Sequence, residues 1–159
     1  MENNNKMSSE ELQAVVFLLN NSYYGVPILQ VQEIVKMSSI TKVPNTPEFV
    51  EGILNLRGNI VPIIDLRKRF YLPKVEVLDS WKILILKIEE MQFGVMVDQI
   101  SEVEKIHSSL IEIPPKVVSG VKGDFISGIA KIKDRLLILL DTNKLLSHSE
   151  KEMLQEIEV

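Results

Sequence analysis

The sequence contains no cysteine. Disulfides, thiolate metal sites and cysteine nucleophiles are excluded together, and the chain suits a reducing compartment, so a cytoplasmic location is expected. Histidine is nearly absent too. His107 and His148 stand alone, neither with a second histidine at ligand spacing, so no metal site is expected. The seven glycines are scattered singly and build no phosphate-cradling loop, and no serine sits in a nucleophile-elbow context. Basic residues are not in excess. With 18 Lys and Arg against 22 Asp and Glu, the net charge is −4, the wrong sign for neutralising a phosphate backbone. Long apolar runs are missing: stretches such as "LLILL" at 136–140 fall far short of a membrane span. The opening "MENNNKMSSEELQ" has no apolar segment, so a secretory signal is not expected.

What is present fits a globular, β-rich chain. A length of 159 residues makes one ordinary domain or two very small ones. Hydrophobic residues at 45% and charged residues at 25% are ordinary, while a mean hydropathy of +0.12 points to a dense β core or to apolar surface reserved for partners.

Residues 1–13 read as a flexible N-terminal segment in which Ser8 and Glu11 could form a capping box. "AVVFLLN" and "YYGVPIL" then read as a hairpin about Asn20-Asn21, and Pro44 and Pro47 break the following loop. "FVEGILNL" and "NIVPIIDL" form a second hairpin with a tight turn at Arg57-Gly58-Asn59, and Asp65 is placed to cap "LRKRF". The basic cluster Arg67-Lys68-Arg69 reads as a solvated helix face. "LPKVEVLDS" at 72–80 is the linker, followed by "WKILILKIE", "MQFGVMV" and a final hairpin "SGIAKIKDRLLILLD". Residues 148–159 read as a short helix with Ser149 and Glu152 as its capping box.

The two halves repeat one another. Tyr24-Gly25-Val26 matches Phe93-Gly94-Val95 at an offset of 69, and Gly52-Ile53 and Asp65 match Gly128-Ile129 and Asp141 at an offset of 76. A repeated β unit predicts two small barrels, 14–79 and 80–147. Neither "NIVPIID" nor "RLLILLD" alternates: both are apolar on both faces, so the face turned away from its own barrel must be covered by the sister barrel or by a partner. Ile64 and Leu140, equivalent at offset 76, are predicted to be buried.

Few residues carry chemistry. Asp65 and Asp141 could pair as acid and base in a small hydrolase, but each stands just before a helical turn, where an N-cap is the simpler role. Arg57 flanks a turn, where arginines are usually solvated. Glu33, in the same barrel, could hold its guanidinium in a bidentate pose, and Lys133 with Glu102 would be the less directional counterpart.

The stretch "GILNLRGNIVPIIDLRKRF", with "YYGVPILQVQEIV", "VPNTPEFVEG" and "FGVMVDQISEV" in matching order, resembles the CheW-type chemotaxis coupling proteins. The resemblance implies an all-β fold with a few short helices: two five-stranded SH3-like β-barrels packed side by side. It implies a non-catalytic scaffold adaptor, without cofactor, that links the cytoplasmic tips of methyl-accepting chemotaxis receptors to the regulatory domain of the histidine kinase CheA. Such an adaptor would be recruited to receptor arrays at the inner membrane without inserting into it, and would bind no nucleic acid. By motif, a receptor-facing groove between the barrels would involve Ile28, Val31, Glu33, Gly52 and Arg57 from the first repeat and Gly94, Ile100 and Val103 from the second. The kinase would meet apolar surface at the barrel ends. An adaptor of another chemosensory pathway, such as surface motility, shares these features.

Overall fold

The computed structural model describes residues 10–157. Its hairpins are set by their turns. β1 (Glu11–Leu19) and β2 (Ser22–Pro27) meet at Asn20 and Asn21, with φ of 51° and 64°. β4 (Val50–Leu56) and β5 (Asn59–Asp65) meet at Arg57 and Gly58, with φ of 50° and 87°. β11 (Ile126–Ile132) and β12 (Arg135–Leu140) meet at Lys133 and Asp134, with φ of 54° and 61°. Two consecutive residues in left-handed backbone make the turn whose twist matches that of the flanking strands. The second turn is therefore one residue shorter than expected: Leu56 pairs with Asn59, which already belongs to β5.

The remaining strands are β3 (Val31–Lys36), β6 (Lys82–Ile88), β7 (Met91–Val97), β8 (Gln99–His107) and a small ribbon of β9 (Val117–Val118) with β10 (Val121–Lys122). Two five-stranded sheets result, in the orders β11-β12-β2-β1-β8 and β4-β5-β7-β6-β3. The expected fold class holds. The expected division of the chain does not. Neither sheet is built from 14–79 or from 80–147; each combines the leading hairpin of one repeat with the three later strands of the other. The exchange is reciprocal and in register. Gly25 of β2 lies beside Leu139 of β12, and Gly94 of β7 beside Ile63 of β5, both in parallel pairings. These are the same two positions at offsets 69 and 76, so the repeat is structural as well as textual.

The two-faced strands now have two cores to fill. Val61 and Ile63 of β5 pack with Leu54, Trp81, Ile83, Ile85 and Met96 inside their own sheet. Leu137 and Leu139 of β12 pack with Ala14, Val16, Ile106 and Ala130 inside the other. Ile64 and Leu140 turn the opposite way, into one large core shared by both sheets, with Phe17, Tyr24, Leu84, Phe93 and Val95. Pro62 stands opposite Ile53, whose N–H and C=O both bond to Thr41 instead, so β4 needs nothing from its missing amide proton.

Four local expectations are corrected. Glu11, Leu12 and Gln13 belong to β1 rather than to a flexible segment, and the Ser8 half of the proposed capping box lies outside the described residues. The C-terminal helix, His148–Gln155, is capped by Ser147 with Glu150, two residues before the expected pair. Asp65 caps Leu66–Arg69 as expected, accepting from the amides of Arg67 and Lys68, whereas Asp141 makes no side-chain cap. In that same helical turn Arg67 is buried and Arg69 nearly so, which overturns the solvated-face reading.

Candidate functional site

Asn55 and Arg57 bracket the β4–β5 turn for separate reasons. The Asn55 side-chain oxygen accepts from the Gly58 amide at 2.9 Å, closing the turn. Arg57 is thereby thrown towards β3, where its two terminal nitrogens donate to the two carboxylate oxygens of Glu33, Nη1 to Oε2 at 3.2 Å and Nη2 to Oε1. β3 and β4 are the two edge strands of their sheet, so this fork spans the seam between them. Hydrogen bonding from the guanidinium holds the Glu33 carboxyl below the usual carboxylate range. The Arg57 side chain is nonetheless 71% exposed, so its orientation is fixed while its outer face stays open to a partner.

The sister sheet repeats the device across β8 and the β11–β12 turn. Lys133 donates to Glu102 at 3.0 Å and lies 3.0 Å from a Glu104 oxygen, and Arg135 reaches Glu102 at 2.6 Å while stacking on the Tyr23 ring at 4.0 Å. Lys133 and Arg135 together lower the Glu102 carboxyl below its usual range, and the two glutamates raise the Lys133 ammonium. Arg135 and Glu104 were not foreseen. The signal was available, because Glu102 and Glu104 in "SEVEKIH" share one face of a strand of period two. The first seam has one cation and one anion; the second is cross-linked by two of each and gives its lysine less freedom.

The other expected site residues divide sharply. Ile28 opens the 3-10 turn Ile28–Gln30 and Val31 follows it, where the chain crosses from the first sheet to the second, and both rest on the shared core. Ile100 rests on the same core just after the return crossover at Asp98, and Val103, further along β8, is exposed. Gly52 and Gly94 are different. Both are buried, and a Cβ on Gly52 would stand 2.2 Å from the Thr41 carbonyl oxygen, at a bulge in β4. A Cβ on Gly94 would stand 2.8 Å from carbons of Ile63 and Ile83. These glycines admit neighbouring strands and present no surface to a partner.

Two pairs of exposed apolar residues lie on strands beside the seams, and of the four only Val103 is among the expected site residues. Ile34 and Ile60 accompany the first, and Val103 and Leu136, their equivalents at offsets 69 and 76, accompany the second. Among the described residues no group of three or more His, Asp or Glu could hold a metal ion, and no helix is long and apolar enough to cross a membrane. Asp65, buried and engaged by two backbone amides, serves as a helix cap.

Comparison with known proteins gives a consistent answer. The family model of the CheW-like domain matches residues 13–150. The chain is 35% identical over 155 residues to the chemotaxis protein CheW of Treponema pallidum, covering 95% of this chain and 91% of that protein. It is 36% identical over 132 residues to CheW of Bacillus subtilis, covering 83% and 85%. The crystal structure of the scaffolding protein TtCheW from Thermoanaerobacter tengcongensis superposes with a TM-score of 0.82 at 43% identity, over 90% of this chain and 92% of that one. With the family model matching residues 13–150 and a solved scaffold protein sharing the fold over most of both chains, the chain belongs to the CheW-like family of chemotaxis scaffold proteins.

Proposed function

We propose that this chain is a non-catalytic adaptor that couples the cytoplasmic tips of methyl-accepting chemoreceptors to the histidine kinase CheA. It acts in the cytoplasm, at receptor arrays, and needs no cofactor. The observation that carries the reading is the Arg57–Glu33 fork: an exposed guanidinium, held in one orientation on a rigid hairpin, in a chain whose relatives are chemotaxis proteins. A planar donor of that kind suits a carboxylate or a carbonyl-rich helix end on a partner. Ile28, Val31, Ile100 and Val103 supply apolar contact around the two crossovers, while Gly52 and Gly94 contribute only by shaping the sheet.

The test is receptor binding by variants that keep the fold. Arg57→Ala is expected to weaken association with a receptor cytoplasmic fragment by about 1–3 kcal/mol without lowering the unfolding midpoint, since no core contact is lost. Arg57→Lys should rescue poorly. Glu33→Ala should add little once Arg57 is gone, because its role is to orient the arginine. Unchanged receptor binding in Arg57→Ala refutes the assignment, and additive effects of the two substitutions would mean that Glu33 and Arg57 meet separate partners.

A further inference from the structure

The two crossovers between the sheets occupy equivalent places in the repeat, yet they are built differently. At the second, Asp98 is the single residue between β7 and β8. Its carboxylate accepts from Arg67 Nη1 at 2.5 Å and Nη2 at 2.6 Å, and from the Asn20 amide at 3.1 Å. Its own amide donates to the Leu18 carbonyl at 3.0 Å. Arg67 belongs to the helical turn that ends β5, in one sheet, and its guanidinium lies 4.6 Å from the centre of the Trp81 ring. Asn20 and Leu18 belong to the other sheet. One carboxylate therefore ties both sheets together at the point where the chain passes between them.

At the first crossover the equivalent of Asp98, at offset 69, is Leu29, and it is 97% exposed. The equivalent of Arg67, at offset 76, is the exposed Asn143. A neutral hydrogen bond from Thr142 to Gln30, at 2.6 Å, joins the parts there. Burying an ion pair forfeits several kcal/mol of hydration per ion, which the attraction between the partners only about recovers, so net stability is a weak reason to keep one. The uncharged first crossover shows that a crossover of this fold can close without one. Fixed geometry is the better reason: a bidentate pair, stacked on an indole, tolerates far less rotation than packed aliphatic side chains.

We propose that Arg67 is a positioning residue, which with Asp98 clamps the angle between the two sheets at one crossover and so sets the spacing between Ile28 and Val31 on one side and Ile100 and Val103 on the other. The Leu29 crossover, held by the neutral Thr142–Gln30 bond, is the less constrained side. The proposal rests on the adaptor reading for its partner, but the clamp itself can be measured without one.

The absence of cysteine makes the measurement clean. Spin labels at Lys87→Cys and Lys131→Cys, exposed positions on different sheets, report the inter-sheet distance distribution. Arg67→Met keeps an unbranched side chain against Trp81 and removes the charge. It is expected to retain a cooperative unfolding transition, to broaden that distribution and to weaken binding of a receptor cytoplasmic fragment on the order of tenfold. Arg67→Lys should restore part of both. Asp98→Asn, which keeps an acceptor for Asn20, should fall between, and it carries the same measurements if Arg67→Met does not fold. A parent-like narrow distribution in these variants overturns the clamp. A broadened distribution with unchanged receptor-fragment affinity overturns the positioning role. Failure of the parent chain to bind the fragment overturns the adaptor reading instead and leaves the distance measurement to decide the clamp.

Discussion

Gly94→Ala separates two readings of one residue. Motif resemblance puts Gly94 at a receptor contact; the fold puts it in the β7 ladder, facing Ile63. An added Cβ would lie 2.8 Å from Ile63 Cδ1, 2.8 Å from Ile83 Cγ2 and 3.2 Å from Ile85 Cδ1. Carbon atoms rest at about 3.5–4.0 Å, so two branched side chains must each withdraw by about 0.7 Å inside a filled core. Overpacking of this kind costs about 1–3 kcal/mol. Against it stands the smaller entropy of the unfolded alanine chain, worth about 0.4–1 kcal/mol. The net expectation is a loss of about 1–2 kcal/mol, read as a lower urea midpoint at unchanged slope. The repeat supplies the control. Gly25 is the equivalent position, but its Cβ would meet Leu139 and Ala14 at 3.2 and 3.3 Å, contacts that small shifts relieve. Gly25→Ala is therefore expected to be close to neutral. Ile63→Val removes the clashing Cδ1 and alone costs about 0.5–1.5 kcal/mol; combined with Gly94→Ala it should cost less than the sum. A parent-like midpoint for Gly94→Ala together with weakened receptor binding would refute this packing argument and return Gly94 to the partner surface.

Two further outcomes are expected. Ile64→Ala and Leu140→Ala, at positions 0% and 3% exposed in the shared core, should each cost about 2–5 kcal/mol, with Trp81 fluorescence and far-ultraviolet circular dichroism lost in one coincident transition; separated transitions would mean the sheets unfold independently. Burial pushes the Tyr24 phenol up to about 12, nearby Arg67 pulling it back in part. The unfolded phenol ionises first, so between pH 10 and 12 the folded state holds the extra proton and stability falls as pH rises, by about 2–3 kcal/mol at the upper end. Tyr24→Phe should flatten that slope, and an unchanged slope would refute the assignment.

What could be read from the sequence was what local chemistry or periodicity encodes. The repeat follows from matching offsets between the units, and the hairpins, the Asp65 cap, the burial of Ile64 and Leu140 and the pairing of Arg57 with Glu33 follow from residue types and placement within one unit. The exchange of hairpins does not, because the parallel pairings of β2 with β12 and β5 with β7 join segments far apart in the chain. Each strand text would pair equally well with either copy. The groove role of Gly52 and Gly94 comes from the resemblance alone, and the sequence offers no check on it, because a glycine that admits a strand and one that admits a partner look alike. Arg67 reads as solvated in the sequence because its neighbours are basic, and only the fold brings up Asp98, 31 residues away. Asp141 has the position of a cap without the bond.

The hairpin exchange changes what the stretch between β5 and β6 connects, since both strands lie in one sheet. In a pair of beads on a string, that stretch would carry any mechanical load between the two bodies. Here the repeats are woven, and each sheet holds strands from both sides of it. Tension between the two sheets passes through the covalent crossovers at Ile28–Gln30 and Asp98, because the stretch between β5 and β6 begins and ends in one sheet. The ladders of β2 with β12 and β5 with β7 join the two repeats within each sheet. Cleaving the backbone between Leu72 and Trp81 removes no strand from either sheet, so the two fragments remain interlocked. A scaffold pulled from opposite ends by two large assemblies would be held by its weave.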